Sequence, residues 1–444
     1  MANDGSEKML IIGAGPAGLA HAKALKDAGI GYDQVEADSD VGGNWLHGTY
    51  RTAHIISSRK TTEFTDFPMP AAYPDFPSQR QMGDYYKLYA DAFGLRPQIE
   101  FNTKVVAVTP RPDELWDVEL ATGERRVYKG VLVCNGHHWH RRFPGYPGEF
   151  AGEFIHSKDF KSPEQLEGKR VLVIGGGNSA CDIASEAARS AESADLSLRR
   201  GYWFLPKTLL GKPVVESPLI HAPVAVQRFF LRGLLRLVVG RYSDYGLPEP
   251  DHKIFEKHPT ISTEILHYLK HGRIRPRPDV SHFEGKSVHF VDGTSGEYDM
   301  IVCATGFYVS FPFLPPGTVP VKNDQLALVY AGCVLPEFKH LYLIGTQQTR
   351  YGIGPLLTPA SQLVAKMIKL QDEMELPIGL VLKESGHKLP DTHLVDPMSA
   401  LRRMKIAGYM MPLLLRRERK LRKRLTRPSA GHAPVIADPD LPVY

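Results

Sequence analysis

Cysteine is scarce in this chain. Four are present in 444 residues, Cys134, Cys181, Cys303 and Cys333, and no two form a C-x-x-C pair. A dithiol redox motif, a zinc ribbon and a disulfide framework are therefore excluded, and a reducing compartment suits such isolated thiols best. Long apolar runs are missing too. The first, Met9 to Ile12, follows the acidic Asp4 and Glu7 and stops at Gly13, unlike a signal peptide. The longest late run, Ile406 to Leu415, is broken by Gly408 and Pro412 and is too short to span a bilayer. What remains, 43% apolar and 23% charged residues, is the composition of a globular protein with an ample core, expected in the cytoplasm. The length corresponds to about three domains of ordinary size.

Acid is nearly absent from one stretch. Residues 401–427 hold eleven Lys or Arg against a single acid, Glu418, a local net of +10. Subtracting this from the overall +5 leaves the rest of the chain at −5. The body is thus mildly acidic and shows no basic face interleaved with aromatics, which excludes a nucleic-acid binder.

The strongest positive feature is a duplication. Leu10-Ile11-Ile12 reads as a buried strand, followed by Gly13-Ala14-Gly15-Pro16-Ala17-Gly18, a helical stretch to Ala28, and a second strand ending at Glu36. The same order recurs at Val171 to Ile174, Gly175-Gly176-Gly177-Asn178-Ser179-Ala180, a helix to about Arg189, and a strand from Asp195 to Leu198. In such turns the first glycine permits the tight bend and the second lets a pyrophosphate approach the backbone. The third position must be small for helix and strand to pack, and Gly18 and Ala180 both are. The helix N-terminus then offers free N–H groups to phosphate.

The ends of the second strands separate the two nucleotides. Glu36 stands where a carboxylate accepts bonds from ribose hydroxyls, which suits FAD. The equivalent count from Gly175 reaches Leu198, followed by Arg199 and Arg200, whose charge and planar forks suit the 2′-phosphate of NADPH. Val131 to Gly136 and Met300 to Gly306 read as apolar strands ending in small-residue turns, each marking a crossing between two nucleotide domains. The expected fold is α/β with two Rossmann-like dinucleotide-binding domains, the NADPH domain inserted into the FAD domain. The FAD domain takes residues 1–164 and 300–375, and the NADPH domain takes 165–299 with a helical insert at about 205–260. A helical and basic tail follows over 376–444.

Phe150-Ala151-Gly152-Glu153-Phe154-Ile155-His156-Ser157-Lys158-Asp159-Phe160 matches F-x-G-x-x-x-H-x-x-x-[YF]. With Gly42-Gly43-Asn44-Trp45, Asp66-Phe67-Pro68, Cys134-Asn135-Gly136-His137-His138 and Cys303-Ala304-Thr305-Gly306-Phe307, it makes the chain resemble the flavin-containing (class B) monooxygenases from about Met9 to Leu370. Phe160-Lys161 stands where the Baeyer–Villiger branch usually has Trp then Pro or Asp, which favours the bacterial-type N- and S-oxygenating branch. The resemblance implies that NADPH reduces FAD, that O2 adds at the flavin C4a, and that the hydroperoxide passes one oxygen to a small amine or sulfide. It assigns Gly13, Gly15, Ala17, Gly18 and Glu36 to the FAD ADP half, and Gly43, Asn44 and Trp45 to the flavin side. Gly175, Gly177, Asn178, Ser179, Arg199 and Arg200 are assigned to NADPH, and Gln348 stands near the flavin. The hard chemistry belongs to the cofactor, and no acid–base pair or nucleophile–His arrangement stands out.

One departure concerns the reaction itself. The family commonly carries an active-site Asn about ten residues before Asp-Phe-Pro, where this chain has Ile56. Either Ser57 or Ser58 takes its place, Ser57 being the candidate catalytic residue beside Gln348, or the preferred reaction has changed. Baeyer–Villiger oxygenation of ketones, an NADPH oxidase or reductase, and a membrane-associated redox sensor remain the alternatives.

His156 reads as a structural link between domains. His137-His138-Trp139-His140 lies on a loop where adjacent imidazoles converge poorly on one ion, so no metal is expected. Arg228, Arg232 and Arg236 recur every four residues beside a broad apolar face, which fits either a helix over the core or one resting on lipid. The polybasic 401–427 stretch suits peripheral contact with anionic lipid, and Pro428, Pro434, Pro439 and Pro442 favour disorder at the terminus. A homodimer is compatible with the sequence but carries no signal of its own.

Overall fold

The computed structural model describes residues 3–426. Arg427 and the four terminal prolines lie outside the described residues.

Two sheets organise the chain. Met9, Leu10, Ile11 and Ile12 are buried on both faces, as in an interior parallel strand. Their strand, Asn3–Ile12, pairs in parallel with Tyr32–Val35 on one side and with Arg125–Val133 on the other. Arg125–Val133 is shared further. Its first half pairs antiparallel with Trp116–Leu120, and its last residues pair in parallel with Leu341–Leu343. The second sheet is wholly parallel, in the order Arg275–Arg277, Ser193–Ser197, Arg170–Ile174, Met300–Cys303, Glu153–His156. The architecture is α/β, with two Rossmann-like units and the second inserted between strands of the first.

The second sheet corrects the expected division of the chain at 164/165 and 299/300. Glu153–His156 and Met300–Cys303, both expected in the first unit, are its edge strand and one of its interior strands. The physical reason is the register. Met300 to Cys303 lies buried between Val171 to Ile174 on one side and Glu153 to His156 on the other, and cannot leave without exposing it. The crossings lie just outside, where His140–Arg141 pairs antiparallel with Phe307–Tyr308, so the two connecting segments brace each other. Arg142 adds a guanidinium bond to Thr305 O at 2.7 Å.

Each sheet is covered on both faces. Pro16–Asp27 and Gly354–Asp372 belong to the core on one side of the first sheet, and Met411 and Leu421 of the last helix, Pro397–Leu425, join it there. The second core takes Asn178–Ser190 and residues of the 205–260 insert, including Leu231 and Leu235 of the helix Val224–Val238. The fully buried Asp195 carboxylate ties the edge of that sheet, accepting from Arg277 Nε and Tyr298 OH at 2.7 Å each and from Arg275 Nε at 3.0 Å. No described helix is long and apolar enough to cross a membrane.

Candidate dinucleotide-binding and oxygenation site

The two glycine-rich turns are built alike. Gly13 has φ +106°, and a Cβ there would stand 2.6 Å from Cys134 O. Gly175 has φ +128°, and its Cβ would stand 2.4 Å from Ala304 O. Both glycines are thus required by conformation and by a strand end that passes directly beneath. Those strand ends are the two small-residue segments recognised in the sequence. Cys134 N donates to Ile12 O at 2.9 Å and Ala304 N to Ile174 O at 2.8 Å. Gly18 is required more strictly, since a Cβ would lie 2.0 Å from Gly13 O. The following helices, Pro16–Asp27 and Asn178–Ser190, start at Gly15 and Gly177 without a side-chain cap or an acid in the first turn. Their first N–H groups are left for an anion, so both turns fit a dinucleotide pyrophosphate.

Glu36 has a further task. Its buried carboxylate accepts from Ala14 N at 2.6 Å and from Asp38 N at 2.9 Å, which pins the first turn to the end of its second strand. A carboxylate has about four acceptor positions, so ribose hydroxyls still find room. Gln34 was not singled out in the sequence. It donates to Gly13 O at 2.9 Å, while its Oε1 is buried without a partner.

A cavity of about 1030 Å³ is lined by Asn44, Trp45, Gly175, Gly177, Asn178, Ser179, Arg199, Arg200 and Gln348. It therefore unites the second turn, the arginine pair and the segment after Gly43. Gly13, Gly15, Ala17, Gly18, Glu36 and Gly43 do not line it. They form a separate, tighter place, where a Cβ on Gly15 would meet Gly43 Cα at 3.6 Å and Ala17 Cβ packs by Gly345. Arg200 lies 5.3 Å from the Tyr202 ring, and that ring covers Gly176. Asn178 Oδ1 accepts from Ile261 N at 2.8 Å, anchoring the turn to the insert. Thr346 Oγ1 and His137 Nε2, both on residues of the cavity wall, are buried without a hydrogen-bond partner.

At the Ile56 departure, Ile56 itself lines the cavity, whereas Ser57 and Ser58 do not. Ser57 Oγ is buried against Thr62 Oγ1 at 2.6 Å, and Ser58 caps the short helix Arg59–Thr62. Their hydroxyls are spent on the local turn, so the expectation that one of them replaces the missing amide is not met by this geometry. Gln348 is well placed. Its Nε2 stands 2.8 Å from His138 Nε2, which leaves the amide oxygen as an acceptor. His138 is accessible to the cavity, but the protein packed around it, then His137, His258 and Lys158, lower its pKa well below the ordinary value. A neutral imidazole that accepts from Gln348 follows.

Lys158 lines the cavity and was passed over in the sequence, although it lies inside the Phe150 to Phe160 motif. Its ammonium donates to Asn44 Oδ1 at 2.6 Å and to His138 O at 3.3 Å. Burial lowers its pKa to about 8, helped by Lys161 and Arg141, while the nearby Asp159 is engaged by Arg141 at 2.7 Å. His156 takes a structural role: Nδ1 accepts from Lys158 N at 3.1 Å and Nε2–H donates to Gly306 O at 3.0 Å, tying the 156–158 turn to the second crossing. Among the described residues no group of three or more His, Cys, Asp or Glu side chains could hold a metal ion.

Residues 6–370 match the model of the family described as flavin-binding monooxygenase-like. The chain is 33% identical over 360 residues to the N-oxide-forming dimethylaniline monooxygenase 2 of Rattus norvegicus, covering 73% of this chain and 66% of that protein. It is 30% identical over 417 residues to flavin-containing monooxygenase 5 of Homo sapiens, covering 83% and 78%. The fold resembles S-allyl-L-cysteine S-oxygenase from Allium sativum, with TM-score 0.64 at 21% identity over 96% of this chain and 94% of that one. It also resembles the closed form of a cyclohexanone monooxygenase, with TM-score 0.67 at 18% identity over 84% and 86%.

Proposed function

Because the chain belongs to the flavin-binding monooxygenase-like family, we propose that it is an FAD- and NADPH-dependent monooxygenase that puts one atom of O2 onto the nitrogen of a small amine or the sulfur of a sulfide. The observation that carries this reading is the single cavity shared by Asn44, Trp45 and Gln348 with Gly175, Arg199 and Arg200. A nucleotide on the second turn and a flavin beside Asn44 would open onto the same volume.

The first turn, with Gly43 closing over Gly15, would hold the FAD diphosphate, and Glu36 its ribose. The second turn would hold the NADPH diphosphate, with Arg199 and Arg200 on the 2′-phosphate. Bound FAD, once reduced by NADPH, supplies the activation of O2. This chain's own residues orient and shield. Lys158 fixes the Asn44 side chain by a charge-assisted bond. His138 sets the Gln348 amide with its oxygen free, and Ile56 and Trp45 add apolar wall that keeps water from the reacting atoms.

Ile56 supports a second reading, Baeyer–Villiger oxygenation of ketones, because an apolar side chain stands where the family commonly has an amide. The test is to supply the FAD-loaded protein with NADPH and air and, side by side, a tertiary amine, a sulfide and a ketone. An N-oxide and a sulfoxide without ester are expected. Ester from the ketone alone would favour the second reading, and hydrogen peroxide as the only product would exclude both.

A further inference from the structure

The helix Val224–Val238 covers the second core with Gln227, Leu231 and Leu235. The opposite side of a helix in this position ordinarily carries charge. Here it carries a stripe at helical spacing, Val226, Phe229, Phe230, Gly233 and Leu237. Phe229 is 76% exposed, Phe230 57% and Leu237 85%. The two phenyl rings meet edge to face with centroids 5.6 Å apart. Along one flank run Arg232 and Arg236, both exposed and, among the described residues, without an ion pair or hydrogen bond. Arg228, one turn earlier, differs because its guanidinium donates to Ile254 O at 2.7 Å. No acid occurs between Val224 and Val238.

Exposed apolar area of this kind, bordered by charge of one sign, marks an interaction surface. The charge selects the occupant. A second copy meeting this face across a two-fold axis would bring the same free arginines together, with no acid on the helix to receive them. An anionic lipid surface meets both demands at once, because apolar side chains enter the acyl boundary while guanidinium groups stay at the phosphates. At fifteen residues the helix is about 22 Å long, too short to cross a bilayer of about 30 Å, so it would lie in the interface.

We infer that the outer face of this helix is a membrane-docking surface for bilayers containing anionic lipid. It is separate from the basic stretch at 401–427, and it needs no assumption about the reaction catalysed.

The experiment is flotation of the FAD-loaded protein with vesicles of phosphatidylcholine alone and of phosphatidylcholine mixed with phosphatidylglycerol. Binding to the mixed vesicles is expected. Replacing both arginines (Arg232→Gln with Arg236→Gln) should weaken it about thirtyfold, at roughly five- to sixfold for each cation. Phe229→Ser with Phe230→Ser should abolish it. The comparison pair Lys420→Gln with Lys423→Gln should leave most of the binding by the insert helix in place. All variants should still oxidise NADPH at the parent rate, since none lines the cavity. Absence of binding to the mixed vesicles, or binding unchanged in both insert variants, would overturn the inference. So would loss of self-association in sedimentation velocity for the phenylalanine variant with vesicle binding intact, which would assign the face to a second copy.

Discussion

The two glycine-rich turns share a sequence pattern and a backbone path, yet their surroundings differ. The first is closed: Gly43 lies over Gly15, Gly13 O fills the space where a Gly18 side chain would go, and Glu36 is bonded to Ala14 N at 2.6 Å. The second is open. Gly177 has nothing within 4 Å of an added Cβ, Ala180 stands at the third position, and the turn faces a cavity of about 1030 Å³. A closed turn suits a resident cofactor, and an open one suits a coenzyme that enters and leaves. The same strand, turn and helix pattern occurs twice, and the segments packed around each copy make the two turns different.

The largest effect should follow from closing the tight turn further. Gly18→Ala places a methyl group 2.0 Å from Gly13 O and should cost about 3–4 kcal/mol or more, seen as loss of bound flavin and a lowered melting temperature. The counterpart Gly177→Ala should leave the melting temperature within about 1 kcal/mol equivalent while raising the KM for NADPH, because only a ligand meets the new methyl group. Similar destabilisation by both would erase the contrast.

Next comes coenzyme choice. Arg199→Ala with Arg200→Ala should raise the KM for NADPH by about a hundredfold, from two lost charge-assisted bonds, and leave that for NADH nearly unchanged. Equal effects on the two coenzymes would remove the 2′-phosphate assignment.

Lys158 joins the segment after Gly43 to the inter-domain motif, and it titrates. Its folded-state pKa of about 8 lies below the ordinary 10.5, so the ammonium that holds Asn44 is lost as pH rises through 8. The burial cost of its charge is present below pH 8 and is relieved between about 8 and 10.5, so this group alone makes the fold more stable with rising pH in that window. Turnover should therefore fall above pH 8 while global stability does not. Lys158→Arg should carry the falling limb to higher pH, and Lys158→Met should lower turnover about tenfold without such a limb. A profile unchanged in both variants would leave Lys158 a purely structural role.

The smallest effect concerns the departure from the family pattern. Ser57→Ala should change the ratio of oxygenated product to hydrogen peroxide by less than about twofold, since its hydroxyl is held by Thr62 and loses only one modest bond. Ile56→Asn, on the cavity wall, should change that ratio several-fold.

The repeat was legible because each step of strand, glycine turn and helix is local, and the glycines answer to backbone geometry. Arg199 and Arg200 could be placed by counting from those fixed points, and Gln348 by the resemblance to the family. The division of the chain was less legible, because Glu153–His156 and Met300–Cys303 owe their sheet to partners far away in sequence. Their apolar patterns suit either unit. Ser57 illustrates the same gap at the site. Its position suggested a polar group near the flavin, but the orientation of a side chain in a turn depends on Thr62 and on the cap at Ser58. Lys158 was hidden for the opposite reason, since a lysine beside an aspartate reads as a surface pair until Arg141 is seen to claim that aspartate.

The most direct test of the central claim is to run the FAD-loaded protein with NADPH and a sulfide or tertiary amine under 18O2 and weigh the product. One 18O atom in each sulfoxide or N-oxide, with NADPH consumed in equal amount, is the predicted result. Unlabelled substrate recovered unchanged, with all the label in hydrogen peroxide, would contradict the account and make the protein an NADPH oxidase.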